Sequence, residues 1–266
     1  MNAYYIDETG KPRKIKGGFI GIDGKARKIK KGYIGVDNVA RLCFTTDSID
    51  PIFANNSWDD VIAACQTNSV PDTWNVGDQL TMTIDGTDYA IDIIGKNHDD
   101  YADGSGKAPL TFQLHDCYKQ MYSMHGSANT NGSWSQCRMR KTNLVNILNL
   151  IPSNVKDNIR EVVKRTSDGY GYTTITNTND KLFLLSEIEV WGSRTDSFSG
   201  EGTRYEYYKS NASTKVVKSV KGANKSWWLR SPYNGSSDKY CYITESGAHG
   251  IASPTTSFGV SFAFCF

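Results

Sequence analysis

The sequence predicts an α+β fold preceded by a small β-repeat module, on three observations. Turn-punctuated segments of strand character stand before and after a pair of segments with helical spacing, the pattern of an α+β chain. Hydrophobic residues make up 38% of the 266 residues and aromatics 12%, enough for a folded, aromatic-rich core. A repeat occupies residues 10–44, within a basic stretch, 1–45, that holds ten Lys/Arg against four Asp/Glu, whereas the remainder holds twenty against twenty-four. The chain therefore divides into a basic module over 1–45 and one substantial domain over 46–266.

The repeat has a period of fourteen: Gly10 to Asp23 aligns with Gly24 to Asp37, and Asn38-Val39-Ala40-Arg41 begins a third copy. Asp23-Gly24 and Gly17-Gly18 supply the positive φ angles of tight hairpin turns, so each unit reads as short strands in a meander. Its apolar positions, Ile15, Ile20, Ile22, Ile29, Ile34 and Val36, are too few for a core, and stacked copies or neighbouring chains are needed to complete one. The positive charge reads first as a solvated face. Nucleic-acid binding is the alternative, and it is not expected: within the repeat only Phe19 and Tyr33 could stack on bases, and no known helix or loop motif accompanies them.

After a linker near Thr45 to Asn56, Trp58, Val61, Ile62 and Cys65 recur at helical spacing behind Ser57, a cap residue. Leu80 to Ile84, Asp85-Gly86 and Tyr89 to Ile93 form a β-hairpin pattern. Leu144, Ile147 and Leu148 make one short helical face; beyond Pro152, Val155, Ile159, Val162 and Val163 make a second. Leu182 to Leu185 is a short buried apolar segment, and Trp191 to Lys225 reads as a long polar insertion.

Tests for chemistry fail one by one. In Asn97-His98-Asp99-Asp100-Tyr101-Ala102-Asp103-Gly104, the third and twelfth positions of a calcium loop would be Tyr101 and Leu110, so a hydrogen-bonded structural loop is expected in place of a cation site. Gly104-Ser105-Gly106-Lys107 lacks the spacing of a phosphate loop, and His98, His115, His125 and His249 form no HExxH pair. No Gly-x-Ser-x-Gly elbow is present. The cysteines at 43, 65, 117, 137, 241 and 265 include no CxxC pair and read as free, buried thiols. Neither cofactor nor metal is expected. The first ten residues are polar and no stretch approaches the ~18 consecutive apolar residues of a membrane span. A secretory leader and membrane insertion are thus not expected, and folding in a cytoplasm is.

The richest signal lies at the C-terminal side. Trp227-Trp228-Leu229-Arg230-Ser231-Pro232 and Gly259-Val260-Ser261-Phe262-Ala263-Phe264-Cys265-Phe266 bracket residues 233–258, drawn largely from Ser, Thr, Tyr, Asn, Gly and Ala. Tyr offers contact area at low entropic cost and Ser, Asn and Gly offer adaptable hydrogen bonding, the composition of a recognition surface. These blocks, with Ile93 to Ala108 and Leu182 to Glu187 upstream in the same order, resemble a C-type-lectin-fold family of gut bacteria and their phages, over roughly residues 50 to 266. Some members of that family resemble the variable proteins of diversity-generating retroelements. Ser261-Phe262 stands where relatives usually carry Arg-Pro. The Glu-Pro-Asn and Gln-Pro-Asp tripeptides of calcium-dependent sugar-binding lectins are absent.

The resemblance implies a C-type-lectin-like domain, related in fold to formylglycine-generating enzymes, with a variable C-terminal region at 233–262. It implies a non-catalytic receptor-binding protein at a phage tail tip, assembled in the host cytoplasm and carried on the virion. The partner would be a bacterial cell-surface protein or glycan. Similar basic repeats at the N-termini of phage structural proteins imply attachment to other tail proteins and a homotrimer through residues 1–45. Adenine-directed mutagenesis of an Asn codon never yields Lys, Glu, Gln, Met or Trp, and none of these occurs from Ser246 to Phe266, although Leu42 to Ser57 lacks them too. With the resemblance, this selects Tyr233, Asn234, Ser237, Asp238, Tyr240, Tyr242, Ala248, His249, Ile251, Ser253, Thr255, Thr256 and Phe258 as ligand contacts. Trp227, Trp228, Leu229 and Arg230 would be the scaffold beneath them. The rival readings are a bacterial adhesin of the same fold and an oxidase-like enzyme using Cys241 and Cys265.

Overall fold

A computed structural model describes residues 49–130, 133–210 and 212–266, with backbone alone at 212 and 213, and the backbone of six strands within the first 48 residues. The chain divides into two compact units, Met1–Asp50 and Pro51–Phe266.

In the first unit, β1 (Tyr4–Ile6) pairs with β2 (Pro12–Lys14), β3 (Gly18–Ile22) with β4 (Lys25–Ile29), and β5 (Lys31–Val36) with β6 (Val39–Thr45), all antiparallel. The repeat is visible in the register: Phe19↔Lys28 and Ile20↔Arg27 recur fourteen residues on as Tyr33↔Leu42 and Ile34↔Arg41. Each of these two hairpins thus joins the end of one copy to the start of the next. Among the described residues the strands pair two by two, where a meander was expected. The turns at Asp23-Gly24 and Gly17 and the burial of the repeat's isoleucines and of Val36 lie outside the described residues.

The second unit runs α1 (Trp58–Gln66), β7 (Gln79–Ile84), β8 (Thr87–Lys96), β9 (Leu110–Leu114), α2 (Ser133–Gln136), a π-helical turn at Met139–Asn143, α3 (Leu144–Leu148) and α4 (Ser153–Lys156). It continues through β10 (Val162–Ser167), β11 (Ile175–Asp180), α5 (Glu187–Trp191), α6 (Ala212–Lys215), β12 (Ser219–Val220), β13 (Ala223–Asn224), β14 (Trp227–Pro232), β15 (Tyr240–Ile243), β16 (His249–Ala252) and β17 (Ala263–Cys265). Helices and strands are both present, an α+β unit.

Ser57 starts α1 as expected: its hydroxyl accepts the Asp60 N–H while Asp60 accepts the Ser57 N–H, a reciprocal cap. Trp58 then lies against Phe112, Phe264 and Phe266, so the helix covers a four-stranded antiparallel sheet of order β17-β9-β8-β7. The β7–β8 turn falls on Asp85 and Gly86, both at positive φ (48° and 70°), the two-residue form that matches strand twist. Every residue of β9 is buried, and Ser261 joins this core by donating to the Leu114 carbonyl at 2.8 Å.

Two expectations are corrected. The helical face drawn through Val155, Ile159, Val162 and Val163 is split: α4 ends at Lys156, and Val162 and Val163 enter β10 opposite Asp180 and Asn179. Adjacent β-branched residues favour the strand, where their side chains are not crowded by a preceding turn. Nor is Trp191 to Lys225 a polar insertion. Tyr205 and Tyr208 are fully buried, and the buried Lys218 ammonium donates to the Leu114 and His115 carbonyls. No helix among the described residues is long and apolar enough to cross a membrane.

Candidate ligand-binding face

The C-terminal strands rest on a buried ionic network centred on Arg230. Its Nε donates to Thr166 Oγ1 at 3.0 Å, its terminal nitrogens to the carbonyls of Leu184, Arg165 and Glu201, and both terminal nitrogens to the two carboxylate oxygens of Glu189. The rigid fork of a guanidinium matches a carboxylate in this two-point way, which lysine cannot do. Glu189 also caps its own helix, accepting the Ser186 N–H at 3.0 Å, so α5 and β14 are positioned by one side chain. Lys164 reaches Glu189 and Asp99 at 2.7 Å each. A charge in this site left without its partner would be costly, because little water reaches it.

A second carboxylate closes the network. Glu201 accepts the Ser167 N–H at 2.8 Å and the Ser231 hydroxyl, tying the end of β10 to β14. Burial pushes its carboxyl up to about 7, against the opposing effects of Ser231, Arg230 and Ser167.

Above this base, β14, β15 and β16 form an antiparallel three-stranded sheet. Trp228 opposes Tyr242 and Pro232 opposes Tyr240, so β14 spends extra residues between the two pairs and bulges. Within the bulge the Arg230 N–H leaves the sheet for the Leu185 carbonyl, 2.9 Å away. Trp227, Trp228, Leu229 and Arg230 are all buried. The Trp228 indole donates to the Tyr122 carbonyl at 2.9 Å, while Tyr122 and Phe258 exchange backbone hydrogen bonds. Phe258 and Tyr242 pack on it as a tilted cluster, with the Phe258 ring centre 4.7 Å from that of Trp228 and 4.4 Å from that of Tyr242.

The selected contacts occupy three environments. Ser237, Asp238, Ala248 and Thr255 are exposed; Tyr233, Asn234, Tyr242, His249, Ile251, Ser253, Thr256 and Phe258 are half-buried. Tyr240 is the correction: it is 0% exposed, and burial drives its hydroxyl far above the usual tyrosine range beside Cys137 and Ser133. The sheet turns this ring inward toward α2, so Tyr240 belongs to the scaffold and cannot touch a ligand.

The half-buried residues are held in place. Asn234 binds the carbonyls of Asp196 and Ser197, and His249 stacks on Trp191 at 4.6 Å while its Nδ1 meets Glu187 Oε1 at 2.8 Å. Burial works to raise the Glu187 carboxyl, yet hydrogen bonds from the 195–197 segment outweigh it and keep the group ionised below the usual range. A carboxylate only accepts, so His249 Nδ1 carries the proton toward it. Glu187, Asp196 and His249 bring ligand atoms within 4.8 Å of one another. The lone pairs of Glu187 are already taken by Thr195, Asp196, Ser197 and His249, which makes it a clamp for the imidazole.

Two glycines were missed by sequence reasoning. A Cβ on Gly250 would stand 2.5 Å from the Tyr242 ring, and one on Gly235 2.5 Å from the Tyr233 ring. Both tyrosines lie flat on glycine backbone. For Gly250 the match is a cross-strand pair that only the register shows, and for Gly235 it is a tyrosine two residues earlier in the chain.

Elsewhere the Asp-rich loop is structural. Asp99 is buried against Lys164, Thr111 and Tyr205, and Asp103 accepts the Ser105 N–H and pairs with Arg160 at 2.6 Å. The five described cysteines, at 65, 117, 137, 241 and 265, are free and buried. Burial pushes the thiols of Cys65, Cys117 and Cys137 up to about 12 and those of Cys241 and Cys265 well above the usual range. Cys241 and Cys265 sit on different sheets.

The segment from β9 through β17, containing the ionic network's Arg230, Glu189 and Glu201 and the whole three-stranded sheet, coincides with a family model described as Domain of unknown function (DUF6273), matched over residues 110–266. The chain belongs to this family. The family domain begins at Leu110, so α1, β7 and β8 share its compact unit but lie outside the match. No curated protein and no solved structure matches the chain.

Proposed function

We propose that this protein is a non-catalytic receptor-binding protein whose C-terminal unit is C-type-lectin-like, carried at a phage tail tip and directed at a bacterial cell-surface ligand. The observation that carries the reading is the contrast between the buried Arg230 network and the segment from 233 to 258 that follows it. Arg230 spends every donor on fixed acceptors, whereas the Tyr, Ser, Thr and Asn side chains from 233 to 258, Tyr240 apart, are exposed or half-exposed. A surface whose backbone is fixed loses little entropy on binding, and its side chains can change without cost to the base. Residues 1–45 serve in this reading as the attachment and trimerisation module, since isolated two-stranded hairpins are marginal in water and gain from neighbours.

The test uses fluorescently labelled full-length protein on a mixed gut-bacterial suspension, with labelled cells sorted. The wild type is expected to decorate a subset of cells. Ala248→Arg with Thr255→Arg, both at exposed positions, is expected to remove decoration while leaving the melting temperature unchanged, as surface substitutions do within about 0.5 kcal/mol. Decoration that survives both arginines, or a wild type that decorates no cell, refutes the proposal.

A further inference from the structure

The β10–β11 hairpin ends in Asp168-Gly169-Tyr170-Gly171-Tyr172, outside the segment that the composition marked for recognition. Tyr170 is 52% exposed and Tyr172 59%, the two most exposed aromatic side chains among the large hydrophobics of the described residues. Lone exposed aromatics are ordinary on protein surfaces. This pair differs in being both rigidly mounted and placed against the candidate face.

The mounting is a closed turn. Tyr172 N–H donates to the Gly169 carbonyl at 3.1 Å, Asp168 N–H to the Thr174 carbonyl at 3.1 Å, and the Thr174 hydroxyl to the Asp168 carboxylate. Gly169 and Gly171 take φ of +100° and +85°, a region that favours glycine. A Cβ at Gly171 would meet nothing within 4 Å, so the space beside the rings is open.

The placement follows from Gly169. A Cβ there would lie 3.4 Å from Thr130 Oγ1 and 3.8 Å from Pro232 Cβ, and Thr130 donates both its N–H and its hydroxyl to the Ser237 carbonyl. The hairpin tip therefore abuts the 233–239 loop. Its root is fixed to the same strand, because Glu201 holds Ser167 at the end of β10 and Ser231 on β14.

We propose that Tyr170 and Tyr172 form a stacking platform for a neutral saccharide, extending the candidate face beyond the C-terminal segment. The proposal rests on the receptor-binding reading and names its ligand class. A sugar ring presents an apolar C–H face that lies flat on an aromatic ring, and hydroxyls at its edge that bond to Ser and Thr. The tip offers both: two exposed rings, and the hydroxyl of the exposed Thr173 next to them in the chain. Its one acidic side chain, Asp168, accepts the Thr174 hydroxyl within the turn, and the tip carries no Lys or Arg to hold an anion. No calcium is required.

The experiment compares wild type, Tyr170→Ala with Tyr172→Ala, and Tyr170→Phe with Tyr172→Phe as full-length labelled proteins on the sorted bacterial cells. Cells are used untreated, after periodate oxidation of vicinal diols, and after proteinase K. The alanine pair is expected to cut labelling by about tenfold or more, as loss of aromatic anchors does, at an unchanged melting temperature. The phenylalanine pair is expected to retain most of it, and periodate to abolish it. An alanine pair that labels like wild type overturns the platform while leaving the receptor-binding reading intact. Labelling that survives periodate overturns the saccharide, and its loss to proteinase K alone then identifies a protein ligand. A wild type that labels no cell removes both readings together.

Discussion

Glu201 should make this protein lose stability as the medium turns alkaline, and removing its charge should abolish that loss. The carboxyl is enclosed by Ser167, Ser231, Arg230 and Glu189, and burial lifts it from 4.5 to about 7. The folded form therefore keeps a proton that the unfolded chain releases between those values. Stability tied to that proton is complete below pH 4.5 and falls as pH rises through 7. At 1.36 kcal/mol per unit the loss is about 3 kcal/mol, a large part of the 5 to 15 kcal/mol typical of a domain. Two histidines titrate nearby in pH. Burial lowers His98, which weakens the fold on acidification, whereas the bond to Asp92 raises His115, which acts in the same sense as Glu201. Glu201→Gln isolates the carboxyl: the amide can still accept the Ser167 N–H and donate to Ser231, but it does not ionise. Urea unfolding of both proteins at pH 5 and pH 8 is the assay. The variant is expected to gain on wild type by about 3 kcal/mol between the two pH values. Parallel pH profiles would refute the reasoning.

Other expectations follow from the same geometry. Trp228→Ala should cost about 3 to 5 kcal/mol and lower the yield of folded protein, because the indole is buried, bonded to Tyr122 and stacked under Phe258; a folded variant with unchanged melting temperature would contradict this. Under native conditions a thiol reagent should leave Cys65, Cys117, Cys137, Cys241 and Cys265 unmodified and modify all six cysteines after denaturation; rapid native reaction at Cys241 or Cys265 would favour an oxidase-like enzyme. Truncation to a start near Thr46 should convert a homotrimer into monomers by light scattering, and a truncated protein that keeps the full oligomer would dismiss the hairpin module as its cause.

What the sequence revealed depended on how local the determining physics was. Ser57 with Asp60 fixes a helix start within four residues, and Asp85-Gly86 fixes a hairpin within two; both were legible. Trp227 and Trp228 were legible as scaffold because a large indole is rarely left in water. Val162 and Val163 were misread because a short apolar run fits helix or strand equally, and only the partners at Asn179 and Asp180 decide. The stretch from 191 to 225 was misread because its polar side chains are satisfied at long range: Lys218 finds carbonyls more than a hundred residues upstream. Tyr240 failed for a related reason. Composition selects tyrosines but cannot say which of them is covered: alternation puts Tyr240 and Tyr242 on one face of β15, yet only Tyr240 is buried. Tyr170 and Tyr172 escaped notice because the hairpin that lifts them is joined to the face by contacts distant in sequence, through Gly169, Thr130, Glu201 and Arg230.

The flat lie of Tyr242 on Gly250 limits how this surface can diversify. Any side chain at 250 evicts the ring at 242 from its seat over Trp228 and Phe258, so the two positions are not independent letters. A variant that keeps an aromatic at 242 would be confined to glycine at 250, and one that fills 250 would be freed to place something small or flexible at 242. Under the proposed receptor-binding reading, a varied surface would therefore fall into two kinds: one with a paved aromatic floor, the other with that floor lifted and a new side chain standing in its place.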